Sequence, residues 1–324
     1  MENIYGVKTP CLIRTAFIDD NPGPYCMSFG FDTDALSMSI LKIGLVNPLI
    51  VTNSIDDKRY LIVVGYRRLI ALKHLKRKDV YCIDLSKSGL SPLDLLLLNL
   101  YDNLSTRIFN DVEKGMILRR LSAYFSREMI EKNFMPLLKI GKSNSLDLFL
   151  KIDSLNDHLK YSLTNGILSF KAFKLMVALD SESFLALFRL IENIKPNFNY
   201  QFYLTEHLTY ISKKEGLPVS VILEDEKCKA ILNDKNDNNP QKSKNLLKHF
   251  WARRYPNLSD SVKSFNKSIA RLNLPDRIKI NPPPFFESSD YKLELLFRDG
   301  NELYKKLGSL LQKQDELFTI KDPW

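Results

Sequence analysis

The sequence predicts an α+β chain: a small mixed α/β unit at the amino-terminal end, a mainly α-helical middle with a helix-turn-helix-like element, and a small carboxy-terminal strand-helix unit. Three observations carry this. Short apolar runs at Pro48 to Thr52, Tyr60 to Val64 and Val80 to Leu85 read as strands, and helical spacings over Leu36 to Ile43 and Arg67 to Leu75 alternate with them. From Pro92 onward apolar residues recur three and four positions apart: Leu93, Leu96, Leu97 and Leu100, then Val112, Met116, Leu118 and Leu121, then Ile130, Phe134 and Leu137. Past a polar linker at 233–244, Tyr291 to Phe297 alternates like a strand and Asn301 to Gln314 reads as an amphipathic helix. These changes of pattern divide the chain at 1–91, 92–232 and 233–324.

The first 35 residues are polar and turn-rich, with Asn21-Pro22-Gly23-Pro24 and an extended piece over Cys11 to Phe17. Gly44 ends the first helix, and a polar turn over 53–58 joins two strands. In the helical middle, Gly141 breaks the chain, and Ser143, Asn144 or Ser145 offers a cap for a helix running through Leu159. Helix, glycine turn and capped helix is the outline of a helix-turn-helix, and equally of two packed helices in a bundle. Its Lys142, Lys151 and Lys160 are balanced by Asp147, Asp153 and Asp157, so it gains little from counterion release on DNA. Helices over Tyr200 to Lys214 and Val219 to Leu232 follow, punctuated by Gly216 and Pro218.

Composition narrows the function. With 324 residues and 44% hydrophobic content the chain has room for two or three domains and an ordinary core. No apolar run approaches the roughly 18 residues of a membrane span, and no charged and then apolar leader opens the sequence, so a cytoplasmic protein is expected. Cys11, Cys26, Cys82 and Cys228 lack zinc-ligand spacing, and the four histidines are scattered. The net charge is +9, and residues 240–280 hold ten basic side chains against Asp260 and Asp276, a net of +8. Lys242, Lys244, Lys248, Arg253 and Arg254 in that block are the candidate contacts to DNA phosphates, with a solvated lysine-rich surface as the competing account.

The most specific signal lies in Val63-Val64-Gly65-Tyr66-Arg67-Arg68-Leu69-Ile70-Ala71, where a glycine and two arginines sit at a strand-to-helix turn. A glycine lets the backbone approach a polyphosphate, the helix start offers free N–H groups, and two guanidinium forks supply fixed charge. Gly44-Leu45-Val46-Asn47-Pro48 precedes it, and Asp102-Asn103-Leu104-Ser105-Thr106-Arg107 and Asn110 to Glu113 follow. Asp102 and Asn103 offer a carboxylate and an amide oxygen of the kind that holds magnesium on phosphates. In order and spacing these segments resemble the amino-terminal domain of ParB-type partition proteins, and Gly166, Leu168, Ser169 and Ala172 are similar to a later element of that family.

The resemblance implies a CTP- and magnesium-dependent switch that closes a homodimeric clamp on double-stranded DNA, nucleoid-associated, with a partner ATPase of the ParA type. It assigns nucleotide binding to Gly44, Asn47, Gly65, Tyr66, Arg67, Arg68, Asn103 and Arg107, magnesium to Asp102 and Asn103, and any slow CTP hydrolysis to Asp102. The chain departs from the family pattern in four places: Asn47 stands for glutamine, Tyr66 for an acid, Asp102 for glutamate, and Thr106 for the arginine, with Arg107 one residue later. On a continuing helix that offset turns a side chain by about 100°. Two other readings stay open: a phosphoryl-transfer enzyme or nuclease on a related fold, and a DNA-binding adaptor without nucleotide function.

Overall fold

A computed structural model describes residues 9–54, 59–142, 144–283, 290–318 and 320. Most of the 53–58 turn and the candidate cap Ser143 therefore lie outside the described residues. The chain forms two compact units, Met1–Lys174 and Leu175–Trp324. The compositional changes at 91 and 233 coincide with local ends inside them, since Ser91 caps one helix and Asn233 closes another.

Unit 1 opens with a four-stranded mixed sheet in the order β1-β4-β2-β3. Its strands are β1 (Cys11–Arg14), β2 (Leu49–Asn53), β3 (Tyr60–Val64) and β4 (Asp79–Asp84). β1 runs antiparallel to β4 and β3 antiparallel to β2, while β2 and β4 are parallel, paired as Leu49 to Cys82 and Val51 to Asp84. Helix α1 (Asp34–Ile43) precedes β2, and α2 (Tyr66–His74) follows β3 through Gly65. Alternate strand residues Leu49, Val51, Ile62, Val80 and Cys82 join Ile40, Leu69, Ala71 and Leu72 in one core. This is the alternation expected of a sheet with helices on one face.

Helix α3 (Pro92–Thr106) starts at a capping box in which Ser91 and Asp94 satisfy each other's backbone N–H. Asn110 and Glu113 repeat the device at α4 (Asp111–Leu121). Next come α5 (Arg127–Met129), a π turn at Ile130–Phe134, α6 (Met135–Leu137), and α7 (Leu146–Asp153), which is capped by Ser145. The expected single helix through Leu159 is thus two: α7 stops at Asp153, and Asn156 caps a new helix, α8 (Asp157–Thr164). An Asx cap offers the Leu159 N–H a partner that a continuous helix would have supplied, which is why the break is stable. Packing of α4 on α7 depends on Gly115, where a Cβ would fall 2.7 Å from the Phe149 carbonyl oxygen. Asp147 pairs with Arg127 and Asp153 with Arg119, so two of the α7 acids are neutralised locally.

Helix α9 (Phe170–Met176) carries the boundary between the units. Unit 2 contains α10 (Ser181–Ile194), α11 (Phe198–Glu215), α12 (Val219–Leu223), α13 (Glu226–Asn233), α14 (Asn239–Arg254) and α15 (Pro256–Leu272). The antiparallel pair β5 (Ile278–Asn281) and β6 (Lys292–Leu295) follows, then α16 (Gly300–Leu311) and α17 (Gln314–Leu317). No helix among the described residues is long and apolar enough to cross a membrane.

Candidate functional site

The strand-to-helix turn is held by a glycine that nothing else replaces. Gly65 has φ +103°, and a Cβ there would lie 2.8 Å from the Leu49 side chain and 3.1 Å from the Arg68 guanidinium. Both facts exclude side chains, one by backbone strain and one by contact. With Gly65 so placed, the first turn of α2 carries Tyr66, Arg67 and Arg68 to the rim of a cleft of about 510 Å³. Its walls include Asn47, Gly65, Tyr66, Arg67, Arg68, Asp102, Asn103, Thr106 and Arg107. Of the residues expected from the sequence only Gly44 lies outside that wall; it ends α1 with φ +75° and turns the chain toward Asn47.

The three arginines are wired differently. Arg68 donates Nη1–H to the carbonyls of Asn47 (2.7 Å) and Pro48 (3.1 Å), and no carboxylate pairs with it among the described residues. Burial lowers its pKa, opposed by the nearby Asp102 charge. Arg67 donates to Glu113 Oε1 at 2.7 Å and lies over the Phe31 ring. Arg107 donates to both oxygens of Glu113 (2.8 and 2.7 Å), to Asn103 Oδ1 (2.7 Å) and to the Met27 carbonyl (2.8 Å).

The expected 100° displacement of Arg107 does not occur because α3 ends at Thr106. Arg107 is an extended C-cap (φ −155°, ψ 165°), and its side chain folds back one turn onto Asn103. Asn103 in turn donates to the Asn99 carbonyl at 2.8 Å. It does not cap α4, a task that falls to Asn110. Tyr66, where an acid is common, turns its hydroxyl away to the Asp20 carbonyl (2.9 Å), and burial pushes that phenol up to about 12.

Glu113 is the residue that sequence reasoning passed over. It is 1% exposed, yet it accepts from Arg67, Arg107 and the Phe29 and Asn110 backbone N–H groups. A buried carboxylate needs donors of this kind to offset its loss of water. The capping-box spacing Asn110 to Glu113 was its visible signal; the arginines it meets were not. The loop Tyr25–Ser28, also buried, brings the Ser28 hydroxyl within 3.2 Å of Arg107 and closes one side of the cleft.

The residues expected to hold magnesium, Asp102 and Asn103, are placed unlike one another. Asp102 lines the cleft and is exposed, whereas Asn103 Oδ1 already accepts from Arg107 Nε. No cluster of three or more His, Cys, Asp or Glu suited to a metal occurs among the described residues.

The basic segment has a different fate. Arg253 is clamped by Glu215 and by Asp225 (3.0 Å). Arg254 donates to His207 Nδ1 (2.8 Å), lies 3.4 Å from Glu206 and stacks on Tyr210 and Tyr255. Lys242 donates to the Leu232 carbonyl at 2.7 Å. Of the five residues expected to meet DNA, Lys244 and Lys248 are the two that are exposed.

Comparison with known proteins agrees with the amino-terminal architecture. Residues 30–88, from just before α1 to just after β4, match the family model of the ParB N-terminal domain. Two solved structures of the C-terminally truncated chromosome-partitioning protein ParB from Caulobacter crescentus are similar to this chain. The one complexed with CTP-gamma-S is 22% identical, with 56% of this chain and 98% of that chain covered and a TM-score of 0.27. The one complexed to the centromeric parS site is 18% identical, with 60% and 98% covered and a TM-score of 0.35. No curated protein matches. Through residues 30–88 this chain carries a ParB N-terminal domain.

Proposed function

We propose that this protein is a ParB-like partition protein in which CTP with magnesium, bound at the Gly65 cleft, switches a homodimeric clamp on duplex DNA. The observation that carries this reading is convergence: Asn47, Gly65, Tyr66, Arg67, Arg68, Asp102, Asn103 and Arg107, drawn from three separated segments, line one cleft. Gly65 lets a phosphate approach the backbone, the start of α2 offers free N–H groups, and Arg68 supplies a guanidinium not spent on a carboxylate. Asp102 is the exposed acid of the cleft, suited to magnesium and to any slow hydrolysis. Arg107 and Arg67 begin in the grip of Glu113, so a triphosphate competes with that carboxylate for them. A ligand that binds one arrangement better shifts the population toward it, which is what a switch requires.

DNA contact is assigned to Lys244 and Lys248 on α14, with a ParA-type ATPase as the partner in segregation. The helix-turn-helix-like α5 to α7 region serves as packing, given its paired acids and buried α7 face. Calorimetric titration of the four ribonucleoside triphosphates, with and without magnesium and duplex DNA, tests the reading. CTP binding that needs magnesium supports it. Absence of triphosphate binding with intact DNA binding overturns it in favour of an adaptor, and rapid turnover with a small acceptor does so in favour of an enzyme.

A further inference from the structure

Helix α14 carries two unlike faces. Ser243, Leu246 and Phe250 are buried. At positions 244, 247, 248, 251, 254 and 255, which share the other side at helical spacing, stand Lys, Leu, Lys, Trp, Arg and Tyr. A face meant only for solvent is polar throughout. Here two large rings alternate with three cations. Helix α11 presents a matching stripe, Tyr203, Glu206 and His207, and the two helices together with Leu258 wall a cavity of about 730 Å³.

The rings keep open surface. Tyr203 is 48% exposed and Tyr255 37%. Trp251 and Tyr255 have centroids 6.0 Å apart at 54°, a splayed pair rather than a closed stack. Arg254 lies between Tyr210 and Tyr255, 4.8 and 4.9 Å from their centroids, and offsets Glu206, the one acid on the wall. Its Nε–H is buried without an acceptor, a donor left over at the cavity. Lys244 and Lys248, one helical turn apart, stand exposed at the rim, and no carboxylate pairs with them among the described residues.

We propose that this cavity binds an unpaired nucleotide of a single-stranded nucleic acid, its base against Tyr203, Trp251 and Tyr255 and its phosphates at Lys244 and Lys248. Aromatic faces that accept any base, flanked by cations, form the recognition logic of single strands. Paired bases are already stacked on one another and gain nothing from these rings. The cations alone serve a duplex; cations with open rings favour a single strand. This site is separate from the Gly65 cleft, so failure of CTP binding leaves it standing.

The test uses the full chain and a labelled oligothymidylate of about 12 nucleotides, within the reach of one such site, beside a duplex of the same length. Without magnesium or nucleotide, the single strand quenches tryptophan fluorescence, and Trp251→Phe removes most of the quench. Tyr203→Ala weakens the single strand about fivefold or more while leaving the duplex nearly unchanged. Tyr203→Phe, which keeps the ring, retains binding, and Arg68→Ala leaves it intact. Equal loss for both nucleic acids on Tyr203→Ala, no loss for either, or loss on Arg68→Ala instead overturns the proposal. Preference for an acidic peptide bearing aromatic residues over the oligonucleotide overturns it as well.

Discussion

Clustered cations mark both the Gly65 cleft and helix α14, and the fold keeps them in opposite ways. In the cleft, residues separated by up to 60 positions in sequence, Asn47 to Arg107, arrive on one wall. On α14, neighbours only a few residues apart are scattered among different partners: Arg253 to Glu215 and Asp225, Arg254 to His207, Lys242 to a carbonyl. A motif encodes relative placement, because each of its residues fixes a turn, a cap or a contact. A charge count encodes only number, and acids 28 and 38 residues away reduce it.

The sharpest test of the cleft as a wired unit is Glu113→Ala. Removing the acid leaves Arg67 and the half-buried Arg107 without their shared partner, and breaking such a pair costs about 3–5 kcal/mol. Thermal unfolding is expected to show a large loss for Glu113→Ala and a smaller one for Glu113→Gln, which keeps one acceptor oxygen. A variant as stable as the parent breaks the claim that Glu113 holds the arginines.

Within the cleft, the two adjacent arginines are expected to part company. Arg68→Ala removes charge-assisted donors not tied to a carboxylate and weakens triphosphate binding by roughly ten- to a hundredfold, with unfolding little changed. Arg67→Ala strips a partner from a buried acid, so its loss of binding arrives with a loss of stability of about 1–3 kcal/mol. Calorimetry beside a melting curve separates them. Identical behaviour of the two variants shows that the Glu113 pairing is not what distinguishes them.

The central strands, the helix after Gly65 and a few helix ends were legible because they follow from local rules. Short apolar runs set β2 and β3, Gly65 ends one element and starts another, and Ser145 caps a helix. What local rules missed is non-local. Residues 25–28 read as a polar turn, yet they are buried because Arg107, Asn99 and Arg120 reach back to their region's carbonyls from 74 to 96 positions away. Arg107 reads as misplaced by one residue until the helix is seen to stop at Thr106. Glu113 reads as a cap and is also a counter-ion.

On α14 the contrast sharpens through salt dependence. Lys244→Gln with Lys248→Gln removes two exposed cations, and each neutralised phosphate contributes about 0.9 to the slope of log affinity against log salt, so the slope flattens by about 1.8. Arg253→Gln is expected to leave the slope alone and to lower stability, because its charge already belongs to Glu215 and Asp225. The reverse ranking in a salt titration with duplex DNA returns the DNA contact to the clamped arginine.

The smallest effect expected is a pH dependence in unit 2. Burial lowers the His207 pKa, and the adjacent Arg254 charge lowers it further, while Glu206 raises it. In the unfolded chain the imidazole titrates near its ordinary value of about 6.5. Between the lowered native value and that ordinary value the unfolded chain binds more protons, so stability is full above about pH 6.5 and falls as the pH drops through the native value, by at most about 1.4 kcal/mol per pH unit. The geometry agrees in sign: Arg254 Nη1–H donates to Nδ1 at 2.8 Å, an acceptor that protonation destroys. His207→Gln keeps an acceptor for Arg254 and cannot titrate, so its unfolding midpoint should fall less than the parent's between pH 7 and pH 5.5. If parent and variant lose stability in parallel over that range, the acid sensitivity belongs to carboxylates elsewhere, and the His207 to Arg254 contact is only packing.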